Sequence, residues 1–145
     1  MNMDIFSTAS SRRSRITAVA ESSTARHADY GLHTIVAKTP NATECIDIVA
    51  IHGLNGHYLN TWTDEKSKIN WLKAFVPEIV PAARVMSFSY NSMLQFSKST
   101  SDVVTFGQQL LECLNAERES MEESQRPIIF ICHSLGGLVF KQVSS

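Results

Sequence analysis

The segment Pro127-Ile128-Ile129-Phe130-Ile131-Cys132 runs directly into His133-Ser134-Leu135-Gly136-Gly137. A short apolar run rich in isoleucine predicts a strand covered on both faces. The apolar Leu138-Val139-Phe140 that follows predicts a helix beginning almost at once. A strand and a helix can turn on each other this sharply only where the side chains at the crossing are small. Cys132 and Gly136 stand two residues before and two after Ser134, and Gly137 adds room. A chain with this junction is expected to be α/β, with Ser134 raised at the C-terminal end of a strand.

The rest of the chain from residue 30 fits that class. Leu32-His33-Thr34-Ile35-Val36-Ala37 alternates apolar and polar side chains, which predicts a half-buried strand, and Thr39-Pro40-Asn41-Ala42 predicts a turn. Ile46-Asp47-Ile48-Val49-Ala50-Ile51 is nearly continuous and β-branched, as a central strand would be. It ends at His52-Gly53-Leu54-Asn55-Gly56, whose two glycines predict backbone conformations closed to other residues. Trp71, Leu72 and Phe75 share one face of a predicted helix that Pro77 and Pro81 help to end. Residues 84–90 alternate again and predict the next strand. Val103, Phe106, Gly107, Leu110, Leu111 and Leu114 then recur at helical spacing, with Ser101 as N-cap. The charged run Glu117–Glu123 reads as the solvated end of that helix. Strands alternating with helices imply a mostly parallel sheet with helices on both faces.

The two junctions after the central strands carry the chemistry. A serine hydroxyl is a weak nucleophile that must be lifted from the sheet toward a base and a substrate carbonyl. The nucleophile pattern G-x-S-x-G is present around Ser134 as C-x-S-x-G, with cysteine as the small residue in first place. Ester hydrolysis builds negative charge on the carbonyl oxygen, and two preorganised N–H donors stabilise it. The backbone N–H of Leu135, opening the helix, is one candidate donor, and that of Leu54, in the loop after the earlier strand, is the other. Gly53 lets this loop turn its amides inward. His52 is read as orienting the loop, with a base role as the alternative. His57 is read as loop surface, and His133 as packing at the turn.

Four groups of residues resemble a known family: Ile51-His52-Gly53-Leu54-Asn55-Gly56-His57, Thr61-Trp62, Phe88-Ser89-Tyr90 and His133-Ser134-Leu135-Gly136-Gly137. Together the segment from Ile48 to Gln142 resembles the amino-terminal half of an α/β-hydrolase. More narrowly it is similar to the lipase-like serine esterases of the DUF676 and PGAP1-like group, which includes the serine-active-site-containing proteins and esterase-like domains heading fungal NLR-type proteins. The resemblance implies acyl-ester hydrolysis by Ser134, often on lipids, with membrane, mitochondrial or endoplasmic-reticulum association in some members. It also implies that the strand at 46–51 lies between those at 84–90 and 127–132. In the α/β-hydrolase order the nucleophile precedes the acid and the histidine. The eleven residues after Ser134 contain no Asp, Glu or His. The expectation is therefore a partial α/β-hydrolase domain over 30–145 with an incomplete triad. The alternative is an inactive sensor or interaction module, or a gene fragment, derived from such a domain. The strand at 127–132 would then offer an edge for pairing with another chain or domain.

Composition narrows the remaining classes. Thirteen basic against fourteen acidic residues provide no surplus for tracking nucleic-acid phosphates. No apolar stretch approaches the roughly 20 residues of a membrane span. Cys45, Cys113 and Cys132 are odd in number and widely spaced, which suits neither a disulfide framework nor a zinc site. No cofactor or metal is expected. Residues 1–29 hold six serines, three threonines and four arginines with little apolar periodicity. They read as a disordered tail or a mitochondrial targeting segment, without a secretory apolar region. The expected location is intracellular: cytoplasmic by default, with mitochondrial or endoplasmic-reticulum membrane association as the other outcome.

Overall fold

The near-continuous apolar run at 46–51 becomes the centre of the sheet. In a computed structural model that describes residues 30–40, 42, 45–93 and 100–144, four strands are formed. They are β1 (Gly31–Val36), β2 (Ile46–Ile51), β3 (Ala83–Ser89) and β4 (Ile128–Cys132). The sheet order is β1-β3-β2-β4, so β2 lies between β3 and β4 as the α/β-hydrolase resemblance implied. β2 runs parallel to both neighbours, with Ile51 opposite Phe88 on one side and Cys132 on the other. β1 is antiparallel to β3. Only nine residues separate β1 from β2, too few for a crossover helix, so a parallel arrangement is not forced on β1. The Ser/Arg-rich head at 1–29 lies outside the described residues.

Both faces of the sheet are covered, as β2 and β3 require. On one face Val49, Ile51, Met86 and Phe88 pack with Phe106, Leu110 and Leu114 of α3 (Thr100–Glu117) and Val139 of α5 (Leu135–Val143). On the other, Ile48, Ala50 and Val85 pack with Trp62, Leu72 and Val76. Leu72 belongs to α1 (Trp71–Ala74) and Val76 to α2 (Val76–Ile79).

The expectation that residues 127–132 form a fully buried strand is corrected. β4 pairs with β2 alone among the described residues, and Ile129 keeps 46% of its surface exposed. The apolar run reports a strand suited to burial, whereas its actual cover depends on neighbours that a local pattern does not contain. The predicted helix around Trp71 is also revised. It breaks at Phe75 into α1 and α2, and the buried stripe is Leu72 and Val76, four residues apart. Phe75 N–H donates to the Trp71 carbonyl at 2.9 Å, which stacks these two residues on the outer face, where both are exposed. Pro77 sits in the first turn of α2 rather than ending α1, a position where a missing N–H costs nothing.

Two assignments at the ends of α3 change as well. Ser101 lies inside the helix, its carbonyl accepting from Thr105 Oγ1, instead of capping it. The Glu117–Glu123 run is not one solvated helical end. Ser120 caps a separate short helix, α4 (Met121–Ser124), by accepting from Glu123 N–H and donating to Glu123 Oε2. α3 has already ended at Glu117, and α4 starts as a helix of its own at Met121. Arg118 turns inward and donates to the carbonyls of Glu123, Ser124 and Arg126.

Candidate active site

The C-terminal ends of β2 and β4 face the same end of the sheet because the strands are parallel, the usual place for ligands in α/β proteins. β4 ends at Cys132 and α5 begins at Leu135, leaving His133 and Ser134 to make the turn. Ser134 adopts φ 53° and ψ −119°, a conformation that costs a non-glycine residue about 1–3 kcal/mol. The turn is held by three backbone bonds. His133 N–H donates to the Ile51 carbonyl at 3.0 Å, Gly136 N–H to His133, and Gly137 N–H to Ser134. Ser134 is exposed, and its side chain makes no capping bond to α5.

Gly136 is required by close approach. A Cβ there would run into the Ile51 carbonyl and lie 2.8 Å from the His52 carbonyl oxygen. Gly137 does not relieve crowding as expected, since a Cβ at this position would meet nothing within 4 Å. Cys132 is exposed as a residue, yet partial desolvation of its thiol by the surrounding chain raises its pKa.

The loop after β2 packs directly on this turn. A Cβ on Gly53 would lie 2.8 Å from both Ser134 Cβ and the His133 carbonyl oxygen. One on Gly56 would lie 2.8 Å from His52 Nδ1. The expectation that these glycines supply unusual backbone angles is therefore corrected: neither has a positive φ, and both are needed for space. The left-handed position in the loop is Asn55, at φ 54°, a residue type that tolerates it. The N–H groups of Leu54 and Leu135 donate no hydrogen bond among the described residues, which leaves both available to an external acceptor.

His52 is fully buried, with Nδ1–H donating to its neighbour Gly53's carbonyl at 2.9 Å. Burial lowers its pKa, opposed by that hydrogen bond and reinforced by nearby His57 and His133. Its Nε2 has no hydrogen-bond partner among the described residues, so no bond links it to Ser134. His57 Nδ1 accepts from Leu59 N–H at 3.1 Å and belongs to the loop's own structure. His133 is exposed at the turn.

Tyr90, given no role by the sequence, joins the site from the end of β3. Its ring stacks on His52 at 4.4 Å and 8°, and its hydroxyl donates to the His52 carbonyl at 2.7 Å. The signal available was a tyrosine one residue beyond a buried strand, where a hydroxyl needs a partner. Ser92, two residues later, accepts the Asn55 N–H at 3.3 Å through its carbonyl.

Among the described residues, no group of three or more His, Cys, Asp or Glu could hold a metal ion. Nor is any described helix long and apolar enough to cross a membrane. A concave surface of about 470 Å³, lined by Ile35, Leu59, Asn60 and Lys73 among others, does not include Ser134.

Comparison with known proteins identifies the family of the chain. The family described as "Putative serine esterase (DUF676)" matches residues 47–143, two thirds of the chain, from β2 through the turn and α5. Protein SERAC1 of Homo sapiens is 26% identical over 117 residues, covering 67% of this chain and 17% of that relative. The chain thus spans less than a fifth of the length of the curated relative it matches. No solved structure matches.

Proposed function

The chain belongs to the DUF676 serine esterase family, and from that membership we propose that it is a serine ester hydrolase domain with Ser134 as nucleophile. The observation that carries this reading is the strained Ser134 backbone, φ 53°, in a two-residue passage from β4 to α5. Strain of this kind persists only where the surrounding structure imposes it, and here it lifts the hydroxyl clear of the sheet. Attack by Ser134 Oγ on an ester carbonyl would form a tetrahedral centre. The developing oxyanion would accept hydrogen bonds from Leu54 and Leu135 N–H, with the start of α5 adding its partial positive charge. Gly53 and Gly136 allow the loop and turn to approach each other, and His52 and His133 shape them. The substrate class is a carboxylic ester, including lipid esters.

The proton of Ser134 needs a base, and Ser134 makes no side-chain bond to one among the described residues. That observation favours the second reading, a catalytically silent sensor or interaction domain built on the same fold. A fluorophosphonate probe separates the two. Labelling of the folded wild-type chain that is lost in Ser134→Ala supports the hydrolase. Absence of labelling in folded protein supports the silent domain.

A further inference from the structure

The structure assigns Tyr90 as a positioning residue that sets the direction of the Leu54 N–H through the carbonyl and ring of His52. The assignment rests, for its catalytic meaning, on the hydrolase reading above, but its geometry stands on its own.

Peptide planarity supplies the chain of constraint. The His52 carbonyl and the Gly53 N–H share one rigid plane, and the Gly53 carbonyl and the Leu54 N–H share the next. The Tyr90 hydroxyl donates to the first carbonyl at 2.7 Å. Gly136 closes on the same oxygen, since a Cβ there would lie 2.8 Å away. The second carbonyl is held by two donors, His52 Nδ1–H at 2.9 Å and Gly56 N–H at 3.0 Å. The imidazole that makes the first of these bonds lies flat on the Tyr90 ring, 4.4 Å away and 8° from parallel. One buried tyrosine therefore bears on both planes: its hydroxyl on the first, and its ring, through His52, on the second. Its own ring is fixed by Phe88 at 5.4 Å and Phe106 at 4.8 Å.

A second path runs through the backbone. Ser92 N–H donates to the Tyr90 carbonyl at 2.8 Å, and the Ser92 carbonyl accepts Asn55 N–H at 3.3 Å. The segment that presents the Tyr90 hydroxyl thus also anchors the residue after Leu54. Burial raises the phenol's pKa, so the hydroxyl keeps its proton, and hence its donor role, throughout the working pH range.

Tyr90→Phe in the full chain removes only the oxygen and keeps the ring stack. Amide exchange at Asn55 and Gly56, whose N–H bonds report on the loop, should accelerate at least tenfold. Exchange in the β2–β3 ladder should stay as in wild type, a separation that a general loss of stability would not produce. With a fluorophosphonate, the inactivation rate constant should fall at least tenfold while the concentration for half-saturation holds. Unchanged Asn55 and Gly56 exchange in folded Tyr90→Phe overturns the assignment. An absence of labelling in wild type would remove the hydrolase reading, and the exchange comparison would still decide the role of Tyr90. A measurement on the wild-type chain covers a variant that fails to fold: the Tyr90 hydroxyl proton should appear as a slowly exchanging resonance. Its rapid exchange with water would likewise overturn the assignment.

Discussion

Asp47 and Arg84 stand opposite each other in the β2–β3 ladder and join in a two-pronged ion pair, Nε to Oδ1 and Nη2 to Oδ2, both at 2.9 Å. Asp47 is fully buried and Arg84 nearly so. The pair lies at the N-terminal ends of β2 and β3, at the far end of both strands from Tyr90 and His52. Arg84 also donates to the Glu117 carbonyl at 3.2 Å, tying the end of α3 to the sheet. Removing Arg84 leaves the buried Asp47 carboxylate with only the more distant Arg118 guanidinium, whose Nε lies 3.6 Å from Oδ2. Arg84→Met should cost about 3–5 kcal/mol in urea unfolding, whereas Asp47→Leu with Arg84→Met should recover most of that loss. A double variant as unstable as the single one would show that the ion pair does more than neutralise itself.

Gly136 and Gly137 are adjacent in α5 and look equivalent in the sequence, but they should respond oppositely to alanine. At Gly136 a methyl group would collide with the backbone of Ile51 and His52, which cannot give way without moving β2. Gly136→Ala should lose about 1–3 kcal/mol, the range for overpacking. At Gly137 the space is open, so Gly137→Ala should gain up to about 1 kcal/mol from helix propensity. Thermal unfolding of the two variants checks both signs, and a destabilised Gly137→Ala would contradict the open space.

Much of this arrangement was legible because it is local. The turn around Ser134 is written in consecutive residues, and the central strand at 46–51 in an unbroken β-branched run. Periodicity placed most of the buried face of α3, where Phe106, Gly107, Leu110 and Leu114 are covered, but Leu111 of the same predicted stripe is exposed. It did not place that of the Trp71 segment, because two four-residue helices are too short for a pattern to average out. Trp71 and Phe75 outweigh Leu72 and Val76 in hydrophobic bulk, yet the smaller pair faces the sheet. The exposure of Ile129 and the Tyr90–His52 contact were not legible for a different reason. Both depend on which strands become neighbours across the sheet, and β3 reaches His52 from 38 residues away.

Ser134 is expected to be a site where stability and chemistry conflict. Its φ of 53° is ordinary for glycine and costly for serine. Ser134→Gly should stabilise the chain by about 1 kcal/mol relative to Ser134→Ala, which keeps the strain. Both should abolish fluorophosphonate labelling if the hydroxyl is the nucleophile. The comparison uses unfolding midpoints for the first claim and intact-mass detection of the adduct for the second. Equal stability of the glycine and alanine variants would count against a strained turn.

Folding stability should fall as the solution is acidified through the histidine range, with His52 as the main cause. Its imidazole is fully buried, and burial pulls its pKa below the ordinary 6.5. The unfolded chain then binds a proton on this residue more readily than the folded one, so stability rises with pH in that window. Well above 6.5 both states carry a neutral ring and the contribution is level. As pH drops below that value the unfolded state gains its proton first, and stability declines until the folded ring also protonates. The lowered carboxyl pKa values of Asp64 and Glu123 act in a more acidic window, so they do not obscure the effect. Urea midpoints between pH 5 and pH 8 should therefore slope downward toward acid in the wild-type chain. His52→Asn should flatten that slope, although it will lower the midpoint at every pH by disturbing the Gly53 and Tyr90 contacts. An equally steep slope in His52→Asn would assign the dependence to another histidine.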